Sequence, residues 1–422
     1  MKTTLLWLLL LILISSCGSQ NDTSTNNSFT DTLNIALYPY VPRLDQFQSE
    51  LEVRWSKIHP ECKLNFVSWD CYSNDPDENL DVFVFDNIFM SHFIESGLLM
   101  EWKKKDIAHF DDYIPYAIEG CRKDMSEEAS YYGLPQIGCT NMFYYRKDDR
   151  LLAAATTFGQ ICSILKPAID TSVIPPFNSG LLLDLSGSTT DACWYVDVSM
   201  DNGVPYSWNP PLPPAERLSP NSLRQLWILL RVGGSKQVSY EDSIPYGRAI
   251  WFSEQKGRAM VNFTEAMSVM SQEVQDNIGF KVLPLSDAGG VNLFYTDVVG
   301  VSSHLERNTG KKKLAIDLAN LLSSTDYITS CFGPNAAGAS PQYLMPVRAS
   351  VFTKLSRNWP LYKDMFAIVC TSDPQPFRLG SDSRSWINTN KKKIRKRILQ
   401  EAQKMKVQQE STTGGLPRLL PD

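Results

Sequence analysis

Histidine is scarce in this chain: His59, His92, His109 and His304 are the only four among 422 residues, and they are scattered. No CxxC pair and no Cys/His cluster occurs. That argues against a structural zinc, which needs several soft ligands at close spacing. It also disfavours a cysteine hydrolase, which usually pairs its thiol with a histidine that takes the proton. An excess of one charge is missing too. Forty-one basic and 46 acidic residues leave a net charge of −5, too mild for nucleic acid to be the main partner. The basic run Lys391-Lys-Lys-Ile-Arg-Lys-Arg397 sits in a helical pattern and reads as a solvated face. There is no internal repeat. The one unbroken apolar run, Leu5 to Ile14, is too short to span a bilayer.

That run follows Lys2 and fits the apolar core of a secretory signal peptide. It ends in Ile14-Ser-Ser-Cys17-Gly18, which resembles a bacterial lipobox. Cleavage would leave Cys17 as a lipid-bearing N-terminus. The expectation is an exported protein, periplasmic or at the cell surface, touching the membrane only through Cys17. Residues 18–32 are rich in Ser, Thr, Asn and Asp and read as a flexible tether. Eight further cysteines follow: Cys62, Cys71, Cys121, Cys139, Cys162, Cys193, Cys331 and Cys370. An exported chain is free to pair some of them, but spacing does not give the connectivity.

What is abundant is aromatic: 10 Trp, 17 Tyr and 19 Phe, suited to a cleft that stacks flat or sugar-like ligands. Leu33-Asn-Ile-Ala-Leu-Tyr-Pro-Tyr40 reads as a strand ending in aromatics. Gln46 to Ile58 has helical spacing and stops at Pro60. Lys63 to Trp69 alternates as a second strand, and Leu80-Asp-Val-Phe-Val-Phe-Asp86 is a third. This order opens an α/β sheet, in which ligands gather at the carboxyl ends of strands. Tyr38, Tyr40 and Asp86 lie at such ends. Lys311 to Leu322 is an amphipathic helix. Residues 150 to 235, rich in Ser, Pro and Gly, are the hardest to read.

The most informative stretch is Tyr131-Tyr-Gly-Leu-Pro-Gln-Ile-Gly-Cys139-Thr-Asn-Met-Phe-Tyr-Tyr-Arg-Lys-Asp148. It resembles the first crossover strand of an extracellular solute-binding protein, with a thiol where a ligand-facing residue belongs. A thiolate there is a potential nucleophile, provided something removes its proton. Glu265, at the start of a helix after an apolar strand, is the best base available. A buried carboxylate takes a thiol proton when desolvation raises its pKa. Asp86 and Asp297, and tyrosines Tyr38, Tyr72, Tyr246 and Tyr295, complete the candidate set. Taken singly, each has a plain structural use: a core thiol, a helix-start charge, a turn-forming carboxylate.

Together they resemble bacterial thiaminase I, the thiamine pyridinylases, over roughly residues 33 to 370. The sharpest matches are the Cys139 stretch, Phe-Thr-Glu265-Ala-Met and Tyr295-Thr-Asp297-Val-Val-Gly-Val. The resemblance implies a two-lobed α/β fold of the type-two periplasmic-binding-protein kind. It implies Cys139 as nucleophile and Glu265 as general base, with Asp86 and Asp297 holding the aminopyrimidine between cleft tyrosines. Thiamine and a small organic base or other nucleophile are then the partners. No metal or organic cofactor is implied, and a monomer is expected. Two departures stand out. Phe263 occupies a place where a tyrosine is expected. A further pocket aspartate before the cysteine has no clear match, Glu119 being only a possible equivalent.

The expected division is a signal peptide at 1–17, the tether, a first lobe from approximately 33–138 and 298–345, a second from approximately 139–297 and 346–410, and a flexible tail at 411–422. Two other readings stay open. One is a non-catalytic substrate-binding lipoprotein of a transporter, for thiamine, a pyrimidine or a sugar. The other is a cysteine hydrolase on the same fold. Fold alone does not separate them.

Overall fold

A computed structural model describes residues 31–413, apart from 125, 127, 129, 167–179, 205–211, 235, 237–239, 241–243, 283–284 and 288–289. The signal peptide, Cys17, most of the tether and the end of the tail lie outside the described residues.

The described residues form ten strands, β1 (Asp31–Ala36), β2 (Cys62–Phe66), β3 (Val82–Asp86), β4 (Leu134–Cys139), β5 (Met142–Arg146), β6 (Leu181–Leu182), β7 (Ala259–Asn262), β8 (Ile278–Lys281), β9 (Asn292–Val301) and β10 (Pro374–Pro376). They form two sheets. One runs β10-β9-β3-β1-β2, with β4 also paired to β9. The other runs β6-β7-β5-β8. Asp31 and Thr32, expected in the tether, are instead paired with Cys62 and Lys63 and belong to the first sheet.

The first sheet is covered as its sequence pattern demands. The helix Leu44–Ile58 turns Phe47, Leu51 and Trp55 inward at four-residue spacing. The Trp55 indole donates to the Cys62 carbonyl at 2.9 Å, tying helix to β2. β3 is buried along its whole length. Phe83 and Phe85 join Trp69, Phe89 and Phe93 in an aromatic cluster. Each such ring, fully buried, contributes about 2–3 kcal/mol. The helix Thr309–Leu322 buries Ala315, Leu318, Ala319 and Leu322.

β9 is the hub of this sheet. It runs antiparallel to β3 on one side and to β4 on the other. The carboxyl ends of β3 and β4 therefore both lie beside the middle of β9. The chain leaves the first sheet between β4 and β5 and returns between β8 and β9. The two crossings touch: the Thr140 hydroxyl donates to the Leu293 carbonyl at 2.7 Å. Gly138, just before Cys139, is required by close packing. Its amide donates to the Met345 carbonyl at 2.8 Å, and a Cβ there would collide with the Tyr116 hydroxyl.

The lobe boundaries read from sequence shift accordingly. Residues 292–297 and Cys139, expected in the second lobe, are strand residues of the first sheet. Of the helices also assigned there, Ala349–Leu355 packs on the helix Thr325–Phe332 of the first lobe, and Leu361–Thr371 packs on Ala349–Leu355 in turn. The reason is Arg348. Its buried guanidinium donates to the carbonyls of Ser323 at 2.6 Å and His109 at 2.9 Å, and lies over the Tyr113 ring. Only the last helix, Ser383–Thr413, packs with second-lobe helices, namely Ser188–Asp201 and Pro220–Gly233. It includes residues 411–413 of the expected tail. All eight cysteines after Cys17 are free. No helix among the described residues is long and apolar enough to cross a membrane.

Candidate active site

Strand alternation delivers the first four groups. Tyr295 and Asp297 are two apart on β9 and so face the same side of the sheet. Across β9, Cys139 is the register partner of Tyr295, and Asp86 is the register partner of Asp297. A thiol, a phenol and two carboxylates thus meet where three strands adjoin.

The loops add the rest. Tyr38 and Tyr40 follow β1, and their rings are 5.5 Å apart, edge to face. Tyr72 follows β2 and meets Tyr40 the same way at 5.8 Å. From the second lobe, β7 runs into a short helical turn, Thr264–Val269, that carries Glu265. Tyr246 stands just before the helix Gly247–Ser253 in a left-handed conformation, φ 58°, which is uncommon for a bulky residue.

All eight residues named from sequence, Cys139, Glu265, Asp86, Asp297, Tyr38, Tyr72, Tyr246 and Tyr295, line one cavity of ≈ 400 Å³ between the sheets. That size falls within the range of small-molecule sites. Glu119 is not among them. It is exposed at the end of the short helix Pro115–Glu119 and does not supply the further pocket acid. Phe263 does line the cavity, so one aromatic position in its wall lacks a hydroxyl.

Burial sets the electrostatics. Asp86 accepts the Ile88 amide on Oδ1 at 2.9 Å and the Tyr72 hydroxyl on Oδ2. Burial nonetheless pushes its carboxyl up, against the pull of both bonds. Asp297 is pushed well above the carboxylate range by burial, then by the fields of Asp86 and Glu265, with the Tyr38 hydroxyl opposing. Burial raises Glu265 to about 7, with its own backbone amide and the Thr264 hydroxyl holding it down. The Cys139 thiol is pushed well above its ordinary value, first by burial and then by Glu265, Asp297 and Asp86. The resting thiol is therefore neutral, and a nearby base must take its proton as it reacts. Glu265, poised near neutrality, is suited to that transfer.

Sequence reasoning missed one wall. Thr189, Thr190 and Cys193, on the helix Ser188–Asp201, line the same cavity. Behind them, Asp197 is buried and accepts the Asn141 side-chain amide at 2.9 Å. Its field raises Tyr295, after burial. This helix is buried nearly all round, so it carries no one-sided stripe to betray it. Three carboxyls converge on the cavity, yet no group of three His, Cys, Asp or Glu among the described residues is placed to hold a metal ion.

The Thiaminase-1 domain family matches residues 140–286, beginning directly after Cys139. Thiaminase-1 of Paenibacillus thiaminolyticus is 35% identical over 403 residues, 95% of each chain. The structure of Clostridium botulinum thiaminase I in complex with thiamin superposes with a TM-score of 0.83 at 38% identity, covering 87% of this chain and all of that one. Maltose-bound MalE3 of T. maritima, at 15% identity and a TM-score of 0.62, covering 89% of this chain and 99% of that one, shares the fold alone, that of a type-two periplasmic solute-binding protein. Near full-length identity of this order places the chain in the thiaminase-1 family.

Proposed function

We propose that the protein degrades thiamine by replacing its thiazole with another base, through a covalent bond between Cys139 and the pyrimidine. The observation that carries this reading is the meeting of Cys139, Glu265, Asp86 and Asp297 in one cavity of a thiaminase-1 family chain. A cleft built only to bind would need neither the thiol nor the base.

The groups suit the chemistry. The aminopyrimidine of thiamine is electron-poor, and its C6 accepts a thiolate. Glu265 takes the Cys139 proton as sulfur adds. Electron density pushed into the ring then breaks the bond from the exocyclic carbon to the thiazolium nitrogen, whose electron pair leaves with a neutral thiazole. An incoming base adds to the resulting methylene, the ring regains its aromaticity, and the Cys139–C6 bond breaks to return the thiolate. The buried carboxyls of Asp86 and Asp297 stabilise positive charge on the ring during addition. Tyr38 and Tyr72 hold those carboxyls by hydrogen bonds and present flat faces to the ring.

We further infer that the chain is exported and anchored by lipid at Cys17, and that it works as a monomer, since one chain supplies the whole residue set. Radiolabelled palmitate should enter the wild type and not Cys17→Ser. For the reaction, mass spectrometry of a mixture with thiamine and pyridine should show free thiazole and the pyridinium-linked pyrimidine. Recovery of intact thiamine, bound but uncut, would instead favour a transport-binding protein.

A further inference from the structure

The last helix, Ser383–Thr413, is seated on the second lobe, against Ser188–Asp201 and Pro220–Gly233. The Trp386 indole donates to the Pro213 carbonyl at 2.6 Å, and the Asn390 side chain accepts the Ala215 amide at 3.0 Å. Its first turn reaches the first lobe through Arg384, a cation only 9% exposed. The Arg384 guanidinium lies 4.4 Å over the Phe89 ring and 2.6 Å from the Asp75 carboxylate, which His92 also meets at 3.0 Å. Its Nη2 reaches further and donates to the Cys71 carbonyl at 2.7 Å.

These contacts converge on Tyr72. The peptide group that joins Cys71 to Tyr72 is held at both ends. Arg384 binds its oxygen, and Asp70 accepts its N–H at 2.9 Å. The Tyr72 ring stands edge-on to Phe89 at 5.5 Å, and Phe89 is the ring that Arg384 covers. Backbone and ring of Tyr72 therefore both rest on groups that Arg384 touches, although Arg384 does not itself line the catalytic cavity.

We propose that Arg384 is a positioning residue for thiamine: from the C-terminal helix it holds Tyr72 at the angle from which the Tyr72 hydroxyl donates to Asp86. The proposal rests on the thiaminase reading of the cavity and deepens it. A small turn of the Cys71–Tyr72 peptide is magnified at the far end of the phenol, and a hydrogen bond weakens steeply once it is misaligned. Any such turn takes the donor away from Asp86, one of the two carboxyls that face the substrate ring. The arm also spans the cleft. A hydrogen bond of the first lobe is fixed by a side chain whose helix is anchored on the second.

The test is a double-mutant cycle read in steady-state kinetics, with pyridine held at saturation and a thermal melt of each variant as the check on folding. Arg384→Gln keeps part of the stem and removes the guanidinium. Alone it should raise KM for thiamine about five- to tenfold, as Tyr72→Phe does, with kcat reduced less. Added to Tyr72→Phe, it should raise KM by no more than about twofold further, because the hydrogen bond it maintains is already gone. Arg384→Lys keeps one donor for the Cys71 carbonyl and should bring KM back to within about threefold of the wild type. If Arg384→Gln does not fold, the cycle is run with Arg384→Lys, whose smaller rise should vanish in Tyr72→Phe. A folded Arg384→Gln with unchanged KM would overturn the proposal. So would a rise as large in Tyr72→Phe as in the wild type, which would leave Arg384 a role in stability alone. Failure of the underlying reading looks different, because the wild type would then release no thiazole and there would be no KM to compare.

Discussion

Asp86 and Asp297 stand opposite each other as register partners on antiparallel strands, both nearly buried, at 6% and 9% exposure. Two carboxylates so placed do not both ionise readily. The ligand-free pair therefore keeps a proton at a pH where ordinary carboxyls have lost theirs, and a cationic ring is the partner that relieves the conflict. Asp297→Asn should lower kcat/KM for thiamine by about a hundredfold, the worth of one well-placed electrostatic group. The same change should raise the thermal midpoint of the ligand-free protein at pH 8. The sign follows from linkage. A carboxyl raised in the folded state stabilises below its unfolded pKa, and that stability is lost as pH rises through the folded value. An amide has nothing to lose. Parallel kinetics and thermal melts check both halves.

Glu265 gives a pH profile. Burial lifts it to about 7, so the fraction able to accept a proton grows as pH rises through that value. Capture of the pyrimidine by wild-type protein should climb from pH 5.5 and level off above pH 8, values set about one to one and a half units either side of that pKa. Glu265→Gln should slow capture by about a hundredfold or more and remove the step near neutrality. Stopped-flow measurement across pH, with thiamine in excess, decides it. A variant that keeps the wild-type profile would show that another group takes the thiol proton.

Much of this site was legible because the strand ends are local signals. Leu80 to Asp86 is apolar up to its last residue, and Cys139 ends a short apolar strand after Tyr-Gly-Leu-Pro. The pairings among those ends were not legible. Nothing local says that β9 sits between β3 and β4 and so brings Asp297 opposite Asp86. The wall from Ser188–Asp201 was missed because a helix buried on all sides has no period to read. The placement of the helices after residue 345 was hidden for a similar reason. Arg348 reads as a surface cation, and only the fold reveals the carbonyls it serves in the first lobe.

Tyr72 tests the support of Asp86. Its hydroxyl donates to Oδ2. Tyr72→Phe keeps the ring and removes the donor. KM for thiamine should rise about five- to tenfold, matching the worth of one hydrogen bond to a charged group, with kcat reduced less. Steady-state kinetics at pH 7.5, about half a unit above the Glu265 midpoint, reads the split.

Cys193 tests which thiol acts. It lines the same cavity, but burial and then the fields of Asp86 and Asp197 push its thiol far up, and Glu265 is not among the groups acting on it. Cys193→Ala should therefore retain turnover within about threefold. A loss as severe as that of a Cys139 variant would mean the roles are misassigned.

The central claim is that Cys139 forms the covalent bond. Its most direct measurement is intact-protein and peptide mass spectrometry after thiamine is added with no acceptor base. The wild type should carry one aminopyrimidinylmethyl group on the peptide that contains Cys139. Cys139→Ser should bind thiamine and carry none. Release of thiazole with no adduct, or with the adduct on Cys193, would contradict the assignment.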